Sequence, residues 1–288
     1  MIDVGELARI RFHDPGRITR ALADRAPGSI PPPGERLIMI AADHPARGVV
    51  GVSGAPQAMA SREDLLRRCV IALSRPGVHG FLGTADLVED LALLGALDGK
   101  LVFGSVNRAG LEGASFAIDD RTTAYDAAGI VASGLDGGKV LLRIDLDDPA
   151  TPTMLESAAT TVGQLARSER VALLEPFMST SREGKRVNLL DPDNAILAFG
   201  IASALGPTSA RTWLKVPCVA DMARVAASTT LPCLLLGGDV QDDQDAQLRQ
   251  WADALRLPNV MGMVVGRSLL YPHDGDVAAA VDRLVEVR

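Results

Sequence analysis

Four charged side chains interrupt the aliphatic segments of this sequence, and all four are of types that carry out covalent or acid–base chemistry. Lys215 lies within TWLKVP, Lys139 opens KVLLRID, Glu175 follows VALL, and Asp43 ends LIMIAAD. Only four of the 29 basic residues are lysines, so a lysine within an apolar segment indicates a need for an amine that can lose its proton. Such an amine attacks carbonyl carbons, and a neighbouring carboxylate can carry the proton. A structural ion pair of Lys215 with Glu175 or Asp43 is the alternative interpretation.

Eight short aliphatic runs recur along the sequence, and each is followed by a longer segment with helical periodicity. Runs this apolar are typical of parallel strands that helices cover. The predicted strands cover residues 37 to 43, 80 to 84, 100 to 106, 139 to 145, 171 to 177, 212 to 217, 231 to 238 and 260 to 266. Eight such units predict an α/β fold, a single closed (β/α)8 TIM barrel over residues 37–288, since this fold has a typical length of ~250 residues. Residues 1–36 are predicted to form an N-terminal helical extension that closes the bottom of the barrel.

The segments between the strands carry their own helix signals, such as the polar start at Ser61. Helices are predicted after residues 61 and 84, and over residues 119 to 136, 149 to 169, 188 to 205, 219 to 229, 242 to 256 and 275 to 287. A doubly wound open sheet is the alternative fold. It would place a glycine-rich phosphate turn after the first strand, where this sequence has Asp43-His44-Pro45 instead.

Alternation along each strand predicts which side chains face the barrel interior. A lysine cannot cheaply enter the dry layer between strands and helices, which places Lys215 inward. The same reasoning turns a row of polar side chains inward on three other strands: Lys139, Arg143, Asp145, Glu175 and Asp43. The carboxylates of Asp43 and Glu175 lie at the C-terminal ends of their strands, where the active sites of such barrels are found.

Glycines at the tips of the last two strands predict an anion site. Gly237 and Gly238 follow the seventh predicted strand, and Gly266 with Arg267 follows the eighth. In barrels of this type the loops after these strands frequently bind phosphate, and Arg267 is able to bind it with two parallel hydrogen bonds. The need of tight turns for glycine is the alternative explanation.

Histidine spacing argues against a metal centre, because none of the four histidines has a histidine partner at helical spacing. His44 follows Asp43 and is predicted to contact substrate or to shape the rim of the site. A carboxylate-only Mg²⁺ site of Asp43, Asp145 and Glu175 is the alternative, although two nearby lysines would compete with the ion. With no nucleotide motif either, the sequence predicts no external cofactor.

Composition limits the classes of protein that this chain can represent. Of its 288 residues 47% are hydrophobic, and the formal net charge is −7 without any basic block, so a nucleic-acid or anionic-membrane binder is not expected. Three cysteines without CxxC spacing are typical of reduced interior thiols and predict a cytoplasmic protein. The N-terminal residues mix both charge signs and do not resemble a signal peptide. The longest uncharged run, residues 194 to 210, contains Gly200, Gly206 and Pro207, so no transmembrane helix is predicted.

Taken in order, these segments resemble the class I, Schiff-base aldolases of the (β/α)8 type, the superfamily of deoxyribose-phosphate aldolase and the class I fructose- and tagatose-bisphosphate aldolases. The likeness is nearest to the tagatose-bisphosphate branch and spans about residues 37 to 270. The matching segments are Asp43-His44, Lys139-Val-Leu-Leu-Arg-Ile-Asp145, Leu174-Glu175, Leu214-Lys215-Val216 and Gly266-Arg267. Arg143 departs from the aromatic residue common in that branch, and Gly237-Gly238 departs from a Ser-Ala-Gly turn.

The resemblance implies a carbon–carbon lyase that acts on a sugar phosphate or a related keto-acid phosphate. Lys215 would form the imine, Glu175 would handle protons, and Lys139 and Asp43 would surround the reacting carbonyl. The implied partner is a small phosphorylated carbonyl compound, and a homo-oligomer is compatible with the sequence. Two alternatives stay open: a phosphate-binding barrel isomerase or decarboxylase without an imine, and a non-catalytic sugar-phosphate sensor.

Overall fold

A closed cylinder of eight parallel strands occupies the centre of the computed structural model, which describes residues 2–183, 185–238 and 243–288. The strands of the described residues are β1 Leu37–Ala41, β2 Gly80–Gly83, β3 Leu101–Ser105, β4 Gly137–Ile144, β5 Val171–Arg182, β6 Lys185–Asn188, β7 Thr212–Val216, β8 Cys233–Leu236 and β9 Val260–Val265. The cylinder runs β1-β2-β3-β4-β5-β7-β8-β9 and closes where β9 pairs with β1. The predicted TIM barrel is therefore confirmed.

The helices that follow the strands form the outer layer, and two more helices precede the first strand. They are α1 Val4–His13, α2 Gly16–Asp24, α3 Arg62–Ser74, α4 Ala85–Leu93, α5 Ala127–Ala132, α6 Thr151–Arg167, α7 Pro192–Ser203, α8 Met222–Ala226, α9 Gln244–Leu255, α10 Arg267–Leu270 and α11 Val277–Glu286. Side-chain caps fix several of their starts, as where Ser61 accepts a hydrogen bond from the Asp64 amide. Among the described residues, no helix is both long enough and apolar enough to cross a bilayer.

The apolar core consists of two clusters, one on each side of the barrel wall. The larger cluster fills the space between strands and helices and includes the side chains of Leu142 and Leu214. The smaller cluster lies inside the barrel and consists of Leu37, Met39, Ala41, Leu82, Leu101, Phe103, Leu173, Leu234 and Val264. The predicted alternation is thus confirmed where Leu37, Met39 and Leu173 face inward, and it carries Glu175 and Lys215 to the same side.

Two segments differ from their sequence-based predictions. The helix predicted over residues 119 to 136 is confined to α5, because Asp120 forms an ion pair with the distant Arg47 (2.5 Å) instead of starting a helix. The fifth strand continues well past its predicted end, and its last residues pair with β6 in an antiparallel hairpin. The sequence of β6, KRVN, is short and polar, so hydrophobic periodicity does not reveal it.

The N-terminal extension contains two helices, α1 and α2. Arg11 of α1 binds Glu89 (2.6 Å) and Asp90 (2.8 Å) on α4. Arg25 then donates hydrogen bonds to the backbone oxygens of Lys100 (2.6 Å) and Gly134 (2.8 Å), at the N-terminal end of the barrel. The extension is therefore fastened at the end of the barrel opposite to the predicted site.

Replacing Arg25 with alanine should lower the free energy of unfolding by about 2–3 kcal/mol, because two hydrogen bonds from a charged donor are lost together. Denaturant titration followed by circular dichroism measures this loss. Arg256→Ala is the matched control, since that side chain is 80% exposed and its removal should change stability by no more than about 0.5 kcal/mol. Equal stability of the two variants would contradict a stabilising role for the extension.

Candidate active site

An open cavity of about 430 Å³ lies at the C-terminal ends of the barrel strands and is rich in charged side chains. Its lining contains six cationic side chains: Arg47, Arg108, Lys139, Arg143, Lys215 and Arg267. It contains three carboxylates: Asp43, Glu112 and Glu175. His44, Gly237, Gly238 and Gly266 also line it. Of the eleven site residues predicted from the sequence, all but Asp145 are brought together here.

Glu175 bridges the two lysines on the cavity wall. Its Oε1 atom lies 2.8 Å from Lys215 Nζ, and its Oε2 atom is paired with Lys139 Nζ. Strand pairing explains the arrangement, because Leu173 of β5 lies beside Lys139 of β4 on one side and Trp213 of β7 on the other. Glu175 and Lys215 each follow this row by two residues and so point inward together.

All three members of this Lys139–Glu175–Lys215 cluster are buried. Burial by itself would raise the pKa of Glu175, but the two lysines outweigh it and lower that pKa from 4.5 to about 2. Burial also lowers the pKa of Lys139, against the opposing effects of Asp43 and Glu175. The charges depend on one another, since loss of either ammonium charge removes an influence that holds the Glu175 pKa down.

Asp43 stands beside the cluster, just beyond the end of β1, and is held by three donors on one oxygen. Its Oδ2 atom accepts hydrogen bonds from Ser105 Oγ (2.9 Å), Lys139 Nζ (3.2 Å) and an Arg108 Nη atom (3.2 Å). Burial would raise the pKa of Asp43, but Lys139, Arg108 and Lys215 hold it well below its usual range. Asp43 is therefore a permanent carboxylate near neutral pH and suits the binding of a substrate hydroxyl.

His44 lines the cavity as a neutral side chain. Burial lowers its pKa to about 4, with further lowering by Arg267 and the two lysines, while Asp43 at 4.0 Å opposes them. Among the described residues, no group of three or more histidine, cysteine, aspartate or glutamate side chains is placed to hold a metal ion.

The glycines after β8 and β9 form the opposite wall. Gly238 has a φ of +67°, a left-handed conformation that favours glycine. A Cβ atom on Gly266 would lie 2.6 Å from the Ala41 backbone oxygen and 2.8 Å from His44 Cε1. Glycine is thus required here by the approach of β1 to β9, and it leaves the backbone open to the cavity beside Arg267.

Arg143 and Asp145, the two polar residues predicted at the end of β4, are placed differently from each other. Arg143 lines the cavity and donates a hydrogen bond to the Gly110 backbone oxygen (3.3 Å). Asp145 is absent from the lining, because β4 ends at Ile144 and the Asp145 carboxylate is bound by Arg186 from the β5–β6 hairpin. The inward placement predicted for Asp145 is therefore not observed.

Three residues that line or support the cavity were not predicted from the sequence: Arg47, Asn107 and Arg108. The Asn107 side chain pairs with the backbone of Leu141, accepting from its N–H (2.9 Å) and donating to its oxygen (2.7 Å), and so extends the pairing of β3 with β4. Arg47 donates to the Asn107 and Gly110 backbone oxygens (2.6 and 2.8 Å). Only Arg108 carried a signal in the sequence, because it lies three residues past β3, and the loops after barrel strands commonly supply active-site residues.

The fold and the site together define a (β/α)8 barrel with a lysine–carboxylate cluster in the cavity at the C-terminal ends of its strands. The chain belongs to the Cgl0159-like family, whose model matches residues 35–285. It is 47% identical to Cgl0159 from Corynebacterium glutamicum, known from a crystal structure, with a TM-score of 0.95 over 98% of this chain and 95% of that one.

More distant structures share the fold. A Schiff-base-forming fructose-1,6-bisphosphate aldolase is 18% identical with a TM-score of 0.65, covering 94% of this chain and 99% of its own. A fructose-bisphosphate aldolase from Slackia heliotrinireducens is 17% identical with a TM-score of 0.64, covering 88% of this chain and 85% of its own. No match was found among curated proteins.

Proposed function

We propose that this protein is a class I aldolase that makes or breaks a carbon–carbon bond through an imine on Lys215. The observation that carries the proposal is the position of Glu175, which joins the amines of Lys139 and Lys215 on the wall of one open cavity. A buried amine with a carboxylate at hydrogen-bond distance has both the nucleophile and the proton carrier that imine formation needs. The barrel shared with Schiff-base-forming fructose-bisphosphate aldolases supports the same reaction class.

Imine formation begins when Lys215 gives up one amine proton to Glu175 and the unprotonated amine adds to the substrate carbonyl carbon. A second proton then moves from the nitrogen to the former carbonyl oxygen, which becomes a hydroxyl. Glu175 lies 2.8 Å from Lys215 and is placed to accept the amine proton and return it to the hydroxyl of this adduct. That hydroxyl leaves as water, and the nitrogen lone pair forms the C=N bond of the iminium ion.

The iminium then accepts the electron pair of the bond that breaks. Glu175, a carboxylate again after the dehydration, takes the proton of the substrate hydroxyl on the departing fragment and later returns it to the enamine carbon. The departing fragment becomes an aldehyde, and the fragment that stays becomes an enamine on Lys215. Protonation of the enamine and addition of water release it as a ketone and restore the amine. Asp43 binds a substrate hydroxyl in this scheme, and the charge of Lys139 stabilises oxygen atoms that gain negative charge.

The opposite wall would hold a phosphate group of the substrate. Gly237, Gly238 and Gly266 leave backbone open to the cavity, and Arg267 lines it beside them. Binding a remote phosphate fixes the reacting carbon near Lys215 and turns the attack into a step within one complex. The substrate class is a sugar phosphate or a related keto-acid phosphate, and the tagatose-bisphosphate likeness of the sequence makes that sugar one of the first compounds to test.

Borohydride trapping tests the proposal directly. The protein is incubated with borohydride and, in turn, dihydroxyacetone phosphate, fructose 1,6-bisphosphate, tagatose 1,6-bisphosphate and unphosphorylated dihydroxyacetone, then analysed by intact mass and peptide mapping. A reduced adduct of a phosphorylated compound on Lys215 is expected. A compound that binds by calorimetry and leaves no adduct would favour an isomerase, a decarboxylase or a sugar-phosphate sensor that binds without turnover.

A further inference from the structure

The cavity is positive although the chain is acidic. Six cationic side chains and three carboxylates line it, in a protein whose formal net charge is −7. Arg47 is paired with Asp120, which lies outside the lining, so the excess is two positive charges. A phosphate carries about −1.5 to −2 near neutral pH, so the total charge permits a second anionic group, and the donors of individual side chains determine where it would bind.

Arg108 offers the donors for a second anion. Its side chain is 93% buried, and one Nη atom binds Asp43 at 3.2 Å. Its Nε and other Nη atom have no hydrogen-bond partner, although both are buried. These two atoms form the edge of the guanidinium that binds a carboxylate or phosphate through two parallel hydrogen bonds, and buried donors without partners are rare in folded proteins.

The backbone around Arg108 is held firmly. Its own amide donates to Thr123 Oγ1 at 3.0 Å, and the preceding Asn107 is paired with β4. Arg47 is engaged with Asp120 and the loop backbone, so it serves to fasten this loop. Arg143 also lines the cavity and forms an ion pair of 3.9 Å with the exposed Glu112. Arg143 is therefore another cavity cation, and its ion pair with Glu112 is long and lies at the surface.

The two positive regions lie across the barrel mouth from each other. In the ring of strands, β3 is four strands from β8 in either direction, and β4 is four from β9. Arg108 follows β3, across the ring from the strand that precedes Gly237, and Arg143 is on β4, across the ring from the strand that precedes Arg267. The Lys139–Glu175–Lys215 cluster is positioned between them.

We propose that Arg108, assisted by Arg143, is the specificity-determining residue of a second anion subsite, which binds a carboxylate or phosphate at the far end of the substrate. The inference rests on the proposed function and deepens it. The substrate is then an open-chain compound with an anionic group at each end and its carbonyl group near Lys215. Arg108 also binds Asp43, so one side chain contacts both the far anion of the substrate and the carboxylate beside the reacting carbon.

Calorimetric titration with three open-chain hexitol derivatives tests the subsite independently of the imine, because none of them contains a carbonyl group that can react. Glucitol 6-phosphate carries one anion, 6-phosphogluconate carries a phosphate and a carboxylate, and glucitol 1,6-bisphosphate carries two phosphates. All titrations use one ionic strength, since salt screens such contacts. The wild type should bind at least one of the two-ended probes roughly 10–100-fold more tightly than glucitol 6-phosphate, the range expected for a charged double hydrogen bond.

Arg108→Met should reduce this preference to within about twofold. The two-ended probes lose the double hydrogen bond to the far anion, whereas glucitol 6-phosphate loses only the indirect effect of Arg108 on Asp43. Arg108→Lys should keep part of the preference, because an ammonium cannot form two parallel hydrogen bonds. Arg256→Met, on an exposed side chain, is the control, and thermal unfolding confirms that each variant is folded. The probe that shows the preference identifies the far anion as carboxylate or phosphate. Equal binding of all three probes by the wild type, or a preference that survives in Arg108→Met, would overturn the subsite, whatever the result of borohydride trapping.

Discussion

Lys215→Arg should give no borohydride adduct and should lower turnover by at least about three orders of magnitude, since a guanidinium stays protonated and does not form an imine. The positive charge beside Glu175 is kept, so the loss of turnover reports on the missing nucleophile and not on a broken ion pair. Adduct formation by mass spectrometry and turnover of whichever phosphorylated compound labels the wild type are the two measurements.

Lys139→Arg is the matched comparison, because Lys139 shares Glu175 with Lys215 but contacts Asp43 as well. Under the proposal this variant still forms an adduct on Lys215, at a reduced rate, because Lys139 contributes its positive charge and not a nucleophile. An adduct that persists in Lys215→Arg and is lost in Lys139→Arg would transfer the imine to Lys139. Turnover by folded Lys215→Arg at more than a few per cent of the wild-type rate would remove the imine from the mechanism.

Glu175→Gln should be the second most damaging change, with turnover lowered by about 10²–10⁴-fold, the usual contribution of a positioned acid–base group. The amide keeps the size of the side chain but neither carries a proton nor balances two ammonium charges. Stopped-flow mixing separates the steps, because imine formation on Lys215 should slow along with overall turnover. A variant that forms the imine at the wild-type rate would assign this proton transfer to another group.

The same variant should also be less stable by about 3 kcal/mol near neutral pH, since removing one partner of a buried ion pair leaves charge uncompensated. The folded pKa of Glu175 is lowered from 4.5 to about 2, so its stabilising effect is present above pH 4.5 and is lost as the pH falls toward 2. Denaturant titrations of both proteins across this range should therefore converge at the acidic end. A stability difference that stays constant from pH 7 to pH 3 would contradict the ionised state of Glu175.

Most of the barrel was predictable because a buried parallel strand leaves a strong pattern in the sequence. The apolar runs located all eight barrel strands, and alternation placed Glu175 and Lys215 inward once a lysine was barred from the outer layer. These inferences depend on neighbours in sequence, and the structure preserves them because the strands are extended. The convergence of Asp43 with Glu175 followed from their places at the C-terminal ends of barrel strands, whereas Lys139 opens its predicted strand and was placed inward by alternation alone.

The remaining features depend on contacts between distant residues. Asp120, in the segment after β3, looks like a helix start until Arg47, from the segment after β1, is brought against it. Asp145 looks like an inward residue until Arg186 of the β5–β6 hairpin binds it beyond the end of β4. Arg108 stands in a loop whose path is set by Asn107 and Arg47, so its meeting with Asp43 could not be deduced from spacing.

The barrel interior keeps its apolar packing beneath the charged cluster, and this separation has a consequence for how such a protein can diversify. Packing of Met39, Phe103 and Leu173 inside the barrel maintains the fold, whereas ligand contacts come largely from strand ends and the loops beyond them. A substitution in the loop of Arg108 can alter which ligands bind and leave the free energy of unfolding of the barrel almost unchanged. Laboratory evolution toward a new substrate should therefore begin with that loop and leave the strands unchanged.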